Sequence, residues 1–246
     1  MSKYVNVPHL PEGKVGLIAI GEKYLERLGR ALGARGIEVI WLPDARDVDA
    51  RLAGHADLSL LHLGGNRLVS ACGDAVSDAL SSLGFELLRV LAPGRAYPDD
   101  CVLNACIVGK RFIHRLDITE PAVLRALDGF ELVNVAQGYT KCCTCVVDEN
   151  SVITSDHGIA ISARRAGLDV LEISPGHIEL EGFDYGFIGG ASFKLSNSEL
   201  AFTGRIDRHP DFYRIISFLS ERKIEAVCLT DGPAFDIGSA VLLKEC

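Results

Sequence analysis

One short pattern recurs five times along the chain: GIEVIWLP from Gly36, GFELLRVL from Gly84, GFELVNVA from Gly129, GLDVLEIS from Gly167 and KIEAVCLT from Lys223. Each copy has a Gly or Lys, an apolar residue, an acid and then an apolar run. Short β-prone runs bounded by Gly or Pro read as buried strands. A helical segment precedes each copy: YLERLGRALGARG, AVSDALSSLG, EPAVLRALDG, GIAISARRAG and DFYRIISFLSERK all space apolar residues at i, i+3 and i+4. Four of these segments end in Gly, the usual residue for a left-handed helix stop. Pro121 and Pro210 stand near helix starts, where a missing N–H costs nothing.

Further apolar stretches, split by turns, lie before four of the helices: ADLSLLHL–GGN–RLVSA, CVLNACIV–GK–RFIHR, CCTCVV–DEN–SVITS and FDYGFIGGASFKL–SNS–ELAFTG. Each unit therefore reads strand, turn, strand, helix, strand. The first unit has only KVGLIAI before its helix, and the last segment, FDIGSAVLL, is a strand with no helix after it. The two fragments complete each other if the C-terminal strand pairs with the N-terminal unit. The expected fold is a single α/β domain, a five-bladed α/β propeller. Its units run over 14–56 completed by 236–243, then 57–99, 100–137, 138–180 and 181–235.

At 246 residues and 48% hydrophobic, the chain can build a substantial core. Its formal net charge of −8 argues against a nucleic-acid surface. No run of apolar residues is long enough to span a membrane, and MSKYVNVPHLPEGKV lacks an apolar signal core. The eight cysteines are therefore expected as reduced thiols in a cytoplasmic protein. No cofactor is expected, since GGASFK and GGNR have neither the glycine spacing nor the following helix of a phosphate loop.

Five strand–strand–helix–strand units with circular closure resemble the pentein fold of guanidine-modifying enzymes, a superfamily that includes deiminases and amidinotransferases. GFDYGFIGGASFK and LTDGPAFDIGS are similar to segments of an uncharacterised bacterial family of that fold. The resemblance implies a central pocket for a small polar ligand such as a guanidino or amidino compound. In such enzymes a cysteine attacks the guanidinium carbon, a histidine beside an acid moves protons, and paired carboxylates hold the planar cation. SPGHIELEGFDY is similar to the family's His-x-acid segment. It places His177 at the general acid/base and Glu179 at its acidic neighbour. The family's nucleophilic cysteine falls near Phe235 or Asp236 in TDGPAFDIGSAVLL, which has no cysteine. Cys246 lies beyond it, and Cys228 precedes it in an expected buried strand. Lys141 and Asn104 stand near positions where the family has acids. The fold also has a non-catalytic, ribosome-binding member, so a binding or regulatory module is the rival reading.

CCTC at 142–145 admits three readings: small buried strand residues, a metal site, or a reactive thiol. With Cys142 in the first strand of the fourth hairpin, Cys143 and Cys145 share one face, while Cys142 and Thr144 take the other. The spacing is not that of a zinc knuckle, so no metal is expected. A metal site would need help from Cys101, Cys106 or His62. In a pentein the first strands line the axis, which makes Asn66, Asn104, Cys142, Asp184 and Asp236 candidates for the centre, with His177 and Glu179 at its rim. GGN at 64–66 also reads as a plain hairpin turn. Asp184 stands among Phe183, Tyr185 and Phe187, a costly setting for an unpaired acid within an apolar strand.

Overall fold

The computed structural model describes residues 2–246 as five small sheets with helices between their strands. The first unit holds β1 (Lys3–Tyr4), β2 (Val15–Gly21), α1 (Leu25–Gly33) and β3 (Glu38–Leu42). The second holds β4 (Leu60–Gly64), β5 (Arg67–Ser70), α2 (Asp74–Ser82) and β6 (Glu86–Arg89). The third holds β7 (Cys106–Val108), β8 (Arg111–His114), α3 (Pro121–Ala126) and β9 (Glu131–Asn134). The fourth opens with a short helix, α4 (Thr140–Cys143), followed by β10 (Thr144–Asp148), β11 (Ser151–Thr154), α5 (His157–Arg165) and β12 (Asp169–Glu172). The fifth holds β13 (Ser192–Ser196), β14 (Glu199–Phe202), α6 (Phe212–Ser220) and β15 (Glu225–Cys228), and the chain ends in β16 (Val241–Glu245).

Within each of the last four units the first two strands form an antiparallel hairpin, and the third strand returns parallel to the second. The first unit borrows its missing strand from the other end of the chain. β16 pairs antiparallel with β2, Leu242 opposite Ile18, while β2 pairs parallel with β3. The strand begins at Val241 rather than at Phe235, so FDIG is an irregular segment that carries Asp236.

The recurrent Gly–apolar–acid pattern has a local cause. Gly36, Gly84, Gly129 and Gly167 all take positive φ after their helices, and Lys223 takes the same conformation at φ 58°. In four units the next amide reaches back five residues, Ile37 to Leu32, Phe85 to Leu80, Leu168 to Ala163 and Ile224 to Leu219, at 3.0–3.2 Å. This satisfies a terminal helix carbonyl and turns the chain into the sheet. The amide of the following acid then bonds the hairpin turn of its own unit: Glu86 to Asn66, Glu131 to Lys110, Asp169 to Asn150 and Glu225 to Ser198.

The core is distributed rather than central. Five apolar clusters each join two successive units: first and second around Leu60 and Leu243, second and third around Leu63 and Phe112, third and fourth around Ile113 and Val152, fourth and fifth around Ile153 and Phe202. The remaining cluster packs Phe193 of the fifth unit on Ile18 and Ile20 of the first. A sixth, smaller cluster joins Leu52 and Leu58 to Cys101, with Tyr139 and Leu180 packed against it. Among the described residues no helix is long and apolar enough to cross a membrane.

Candidate active site

A single helical turn precedes the first strand in the second, third and fourth units, at Ala56–Leu58, Asp99–Cys101 and α4. These turns, and the loop before β16, deliver one buried cluster: His55, Asp57, Asn104, Cys142 and Asp236. Asn104 organises it. Its Oδ1 accepts the Lys141 amide at 2.8 Å and the Cys142 amide at 3.2 Å, capping α4 from a neighbouring unit. Its Nδ2 donates to Cys142 Sγ at 3.4 Å. The Cys142 thiol donates to Asp57 Oδ2 at 3.1 Å, and His55 Nδ1 stands 4.0 Å from the same sulfur. On its other side His55 Nδ1 is 4.0 Å from Asp236 Oδ1. The Asp236 carboxylate is held by the amides of Phe187 and Gly238, both at 2.9 Å.

Two glycines make this approach possible. A Cβ on Gly190 would fall 1.8 Å from Asp236 Oδ1, and one on Gly238, which has φ 68°, would fall 2.4 Å from the His55 Cβ. Lys141 is also buried, but its ammonium turns away to the carbonyls of Gly189 and Thr144.

Burial dominates the electrostatics. It pushes the Cys142 thiol well above its ordinary range, and the nearby Asp57 and Asp236 carboxylates push it further, so at rest it is a thiol. Burial raises Asp57 to about 7, against the hydrogen bond from Cys142. Burial lowers His55, with Asp236 partly opposing, so the ring is neutral near pH 7. A neutral thiol therefore sits between a carboxyl poised near neutrality and an imidazole. That set can take a proton from sulfur and return one to a leaving group.

Cys142, His55 and Asp236 form the floor of a cavity of about 360 Å³. Its walls are Tyr97, Tyr139, Phe183, Tyr185 and Phe187, and among the described residues no lysine or arginine lines it. Tyr139 is fixed by a 2.6 Å bond to Asp100 Oδ2. The Arg51 guanidinium lies over the Phe183 ring at 4.3 Å and donates to the Gly182 carbonyl, pinning the wall from outside.

The structure brings Cys142, Asn104 and Asp236 together and sets the other expected residues apart. His177 is exposed, with φ 64°, and lies edge-to-face on His209 in a separate cleft of about 550 Å³. Glu179 is exposed too, and its carboxylate faces Arg27 at 3.8 Å. Its backbone does reach the centre: it bridges to the segment 234–236 and so holds the Asp236 loop. Asp184 is on an exposed loop rather than in an apolar strand, because the strand of this unit begins only at Ser192. Glu179 and Asp184 line an adjoining opening of about 420 Å³ that shares Asp236 with the aromatic cavity. Asn66 occupies the β4–β5 turn, at the far end of the hairpin from Asp57.

The CCTC stretch also differs from expectation. Cys142 and Cys143 belong to α4, not to the strand, so the alternation of faces fails there. Cys143 packs at the junction of the third and fourth units, and Cys145 at that of the fourth and fifth. Cys228 is exposed at the end of β15 rather than buried. Asp57 lies within ADLSLLHL, an apolar stretch that reads as strand throughout, and His55 stands just before it, so periodicity points to neither. The signal was present: His55-Ala56-Asp57 is itself a His-x-acid pair at the head of a unit.

Five small mixed sheets, each joined by a helix, give the chain the pentein fold, and a buried thiol–imidazole–carboxylate cluster lies among them. Solved structures of this shape include an inosamine-phosphate amidinotransferase of Streptomyces griseus, at TM-score 0.60 and 9% identity over 98% of this chain and 97% of that one. An amidinotransferase of Microseira wollei from the saxitoxin biosynthetic pathway matches at TM-score 0.58 and 9% identity, covering 96% of both chains. Agmatine deiminase of C. jejuni matches at TM-score 0.52 and 9% identity, over 93% of this chain and 91% of that one. At such identities the likeness is one of fold. The chain belongs to the DUF6873 family, a family of unknown function, whose model matches residues 19–241. No curated protein matches the sequence significantly.

Proposed function

We propose that the five units form a closed five-bladed α/β propeller, and that the protein is a cytoplasmic enzyme acting on a guanidino or amidino carbon through Cys142. The carrying observation is the contact of the Cys142 thiol with Asp57 Oδ2 at 3.1 Å, on the floor of an aromatic-walled cavity. A planar cation entering that cavity meets Asp236, with Asp57 behind the sulfur, and its charge favours the thiolate. The sulfur proton passes to Asp57. Sγ then bonds the central carbon, and the departing amine leaves with a proton relayed by His55. The S-amidino group is finally transferred to water or to an amine, which frees the thiolate. Asp236 holds the cation, and Asn104 fixes the sulfur by capping α4. His177, Glu179 and Asp184 lie outside this centre and contribute only to its surroundings.

The aromatic walls suit an apolar or aryl body, and the absence of a lining cation disfavours a substrate carboxylate. The ligand is thus a small compound; neither nucleic acid nor membrane has a part in this reading. A non-catalytic binding module would fill the axis with apolar side chains, and the buried polar cluster speaks against it.

The test is release of ammonia or amine from a panel of alkylguanidines, phenylguanidine, agmatine and arginine. Turnover is expected to fall by about 10³-fold or more in Cys142→Ala. Arginine is expected to be at least about 10-fold poorer than agmatine, because its carboxylate would be buried without a partner. Absence of turnover across the panel, or full activity in Cys142→Ala, overturns the reading.

A further inference from the structure

The same cluster holds more ligating atoms than the thiol chemistry occupies. Asp57 Oδ1 and His55 Nε2 are buried without a hydrogen-bond partner. His55, Asp57 and Cys142 each present a donor atom within 4.8 Å of the others, and all three residues are buried. Asp236 Oδ1 lies 4.0 Å from His55 Nδ1 on the open side. In a tetrahedral zinc site, with metal–sulfur bonds of about 2.3 Å and metal–nitrogen or –oxygen bonds of about 2.1 Å, donor atoms stand roughly 3.4–3.6 Å apart. The observed separations of 3.1 Å for sulfur to Asp57 and 4.0 Å for sulfur to His55 straddle that span. All three donor atoms lie within 4.8 Å of one another, so side-chain shifts on the order of an ångström or less close the polyhedron.

We propose that His55, Asp57 and Cys142 form a binding site for a zinc-class divalent cation, with Asp236 in reach as a fourth ligand. The donor set selects the metal. One thiolate, one imidazole and carboxylates suit zinc or cobalt, and neither magnesium nor calcium takes sulfur or ring nitrogen readily. The second layer is already built. Asn104 Nδ2 points at the sulfur, and the Phe187 and Gly238 amides orient Asp236. Binding replaces the S–H proton with the metal and releases that proton to solvent, so one metal–sulfur bond forms for each S–H bond lost.

The functional consequence, though not the binding, rests on the proposed thiol chemistry. A metal on Cys142 removes the nucleophile, so the loaded protein is inactive and a chelator restores it.

The experiment uses the reduced, chelator-treated full chain and cobalt(II) as the probe. The expected result is one equivalent bound, with a near-ultraviolet thiolate-to-cobalt charge-transfer band that zinc abolishes by competition. Cys142→Ser loses the band, Asp57→Asn and His55→Gln each weaken binding at least about 10-fold, and Cys228→Ser, at an exposed cysteine, changes nothing. Far-ultraviolet circular dichroism checks that each variant is folded. A missing band, a band that survives Cys142→Ser, or undiminished affinity in both Asp57→Asn and His55→Gln overturns the site. The absorption readout needs no turnover. A metal site without guanidino chemistry therefore sinks the proposed reaction alone, and guanidino chemistry indifferent to stoichiometric zinc sinks the metal site alone.

Discussion

Asn104 is the structural keystone of the cluster, and Asn104→Ala measures how much. The side chain has no exposed surface. Its loss leaves the Cys142 amide without its acceptor, while the Lys141 amide keeps the backbone carbonyl of residue 104 at 3.0 Å. One orphaned buried N–H costs about 1–3 kcal/mol, and a small cavity adds to that. The expected destabilisation is about 2–4 kcal/mol. For a chain of this length each kcal/mol moves the melting temperature by roughly 2–4 °C, so the midpoint should fall by about 5–15 °C. Urea unfolding gives the free energy, and amide hydrogen exchange locates it: protection of Cys142 should fall further than that of β10. A loss below about 1 kcal/mol, or unchanged protection at Cys142, would refute the assignment of Asn104 as the cap of α4.

Further outcomes are expected elsewhere. Burial lowers His62 and His114 to about 4, below the ordinary 6.5, so the unfolded chain binds protons that the folded one refuses. Their stabilisation is complete above pH 6.5 and is lost as pH falls toward 4, by as much as about 3 kcal/mol each. Asp57, raised to about 7, works in the opposite direction over that window, so urea unfolding between pH 7 and pH 5 should show a partial net loss; a gain contradicts the burial argument. Lys223 alone among the five unit turns holds a left-handed conformation without being glycine. Lys223→Gly should therefore stabilise the fold by about 0.5–1 kcal/mol in thermal unfolding, and a destabilised variant contradicts this.

Much of the architecture could be read because it depends on local, repeated signals. A left-handed glycine after an amphipathic helix marks every unit but the last, and Lys223 there keeps the same geometry. The pairing of β16 with β2 followed from one unit lacking a strand and another strand lacking a unit. The centre was harder to read. The turn at α4 is four residues long and leaves no periodicity in the sequence, so CCTC looked like continuous strand. Cys142 meets Asp57 across 85 residues of chain and Asn104 across 38, separations at which spacing carries no information. Asn104, Cys142 and Asp236 are legible because a polar side chain in an otherwise apolar run needs buried partners. His177 and Asp184 were named from a local motif and an apolar neighbourhood, yet the chain between β12 and β13 loops outward and leaves both exposed.

The most direct measurement is covalent mapping of the reduced protein with a halomethyl amidine, set beside a neutral alkylating agent of the same size. The amidine is expected to modify Cys142 although that residue is only 2% exposed, to spare Cys143 and Cys145, and to be blocked by excess phenylguanidine. The neutral agent should instead favour the exposed Cys228 and Cys246. Amidine labelling confined to Cys228 and Cys246, with Cys142 untouched, would contradict the central claim that a cation-binding thiol lies at the heart of the five units.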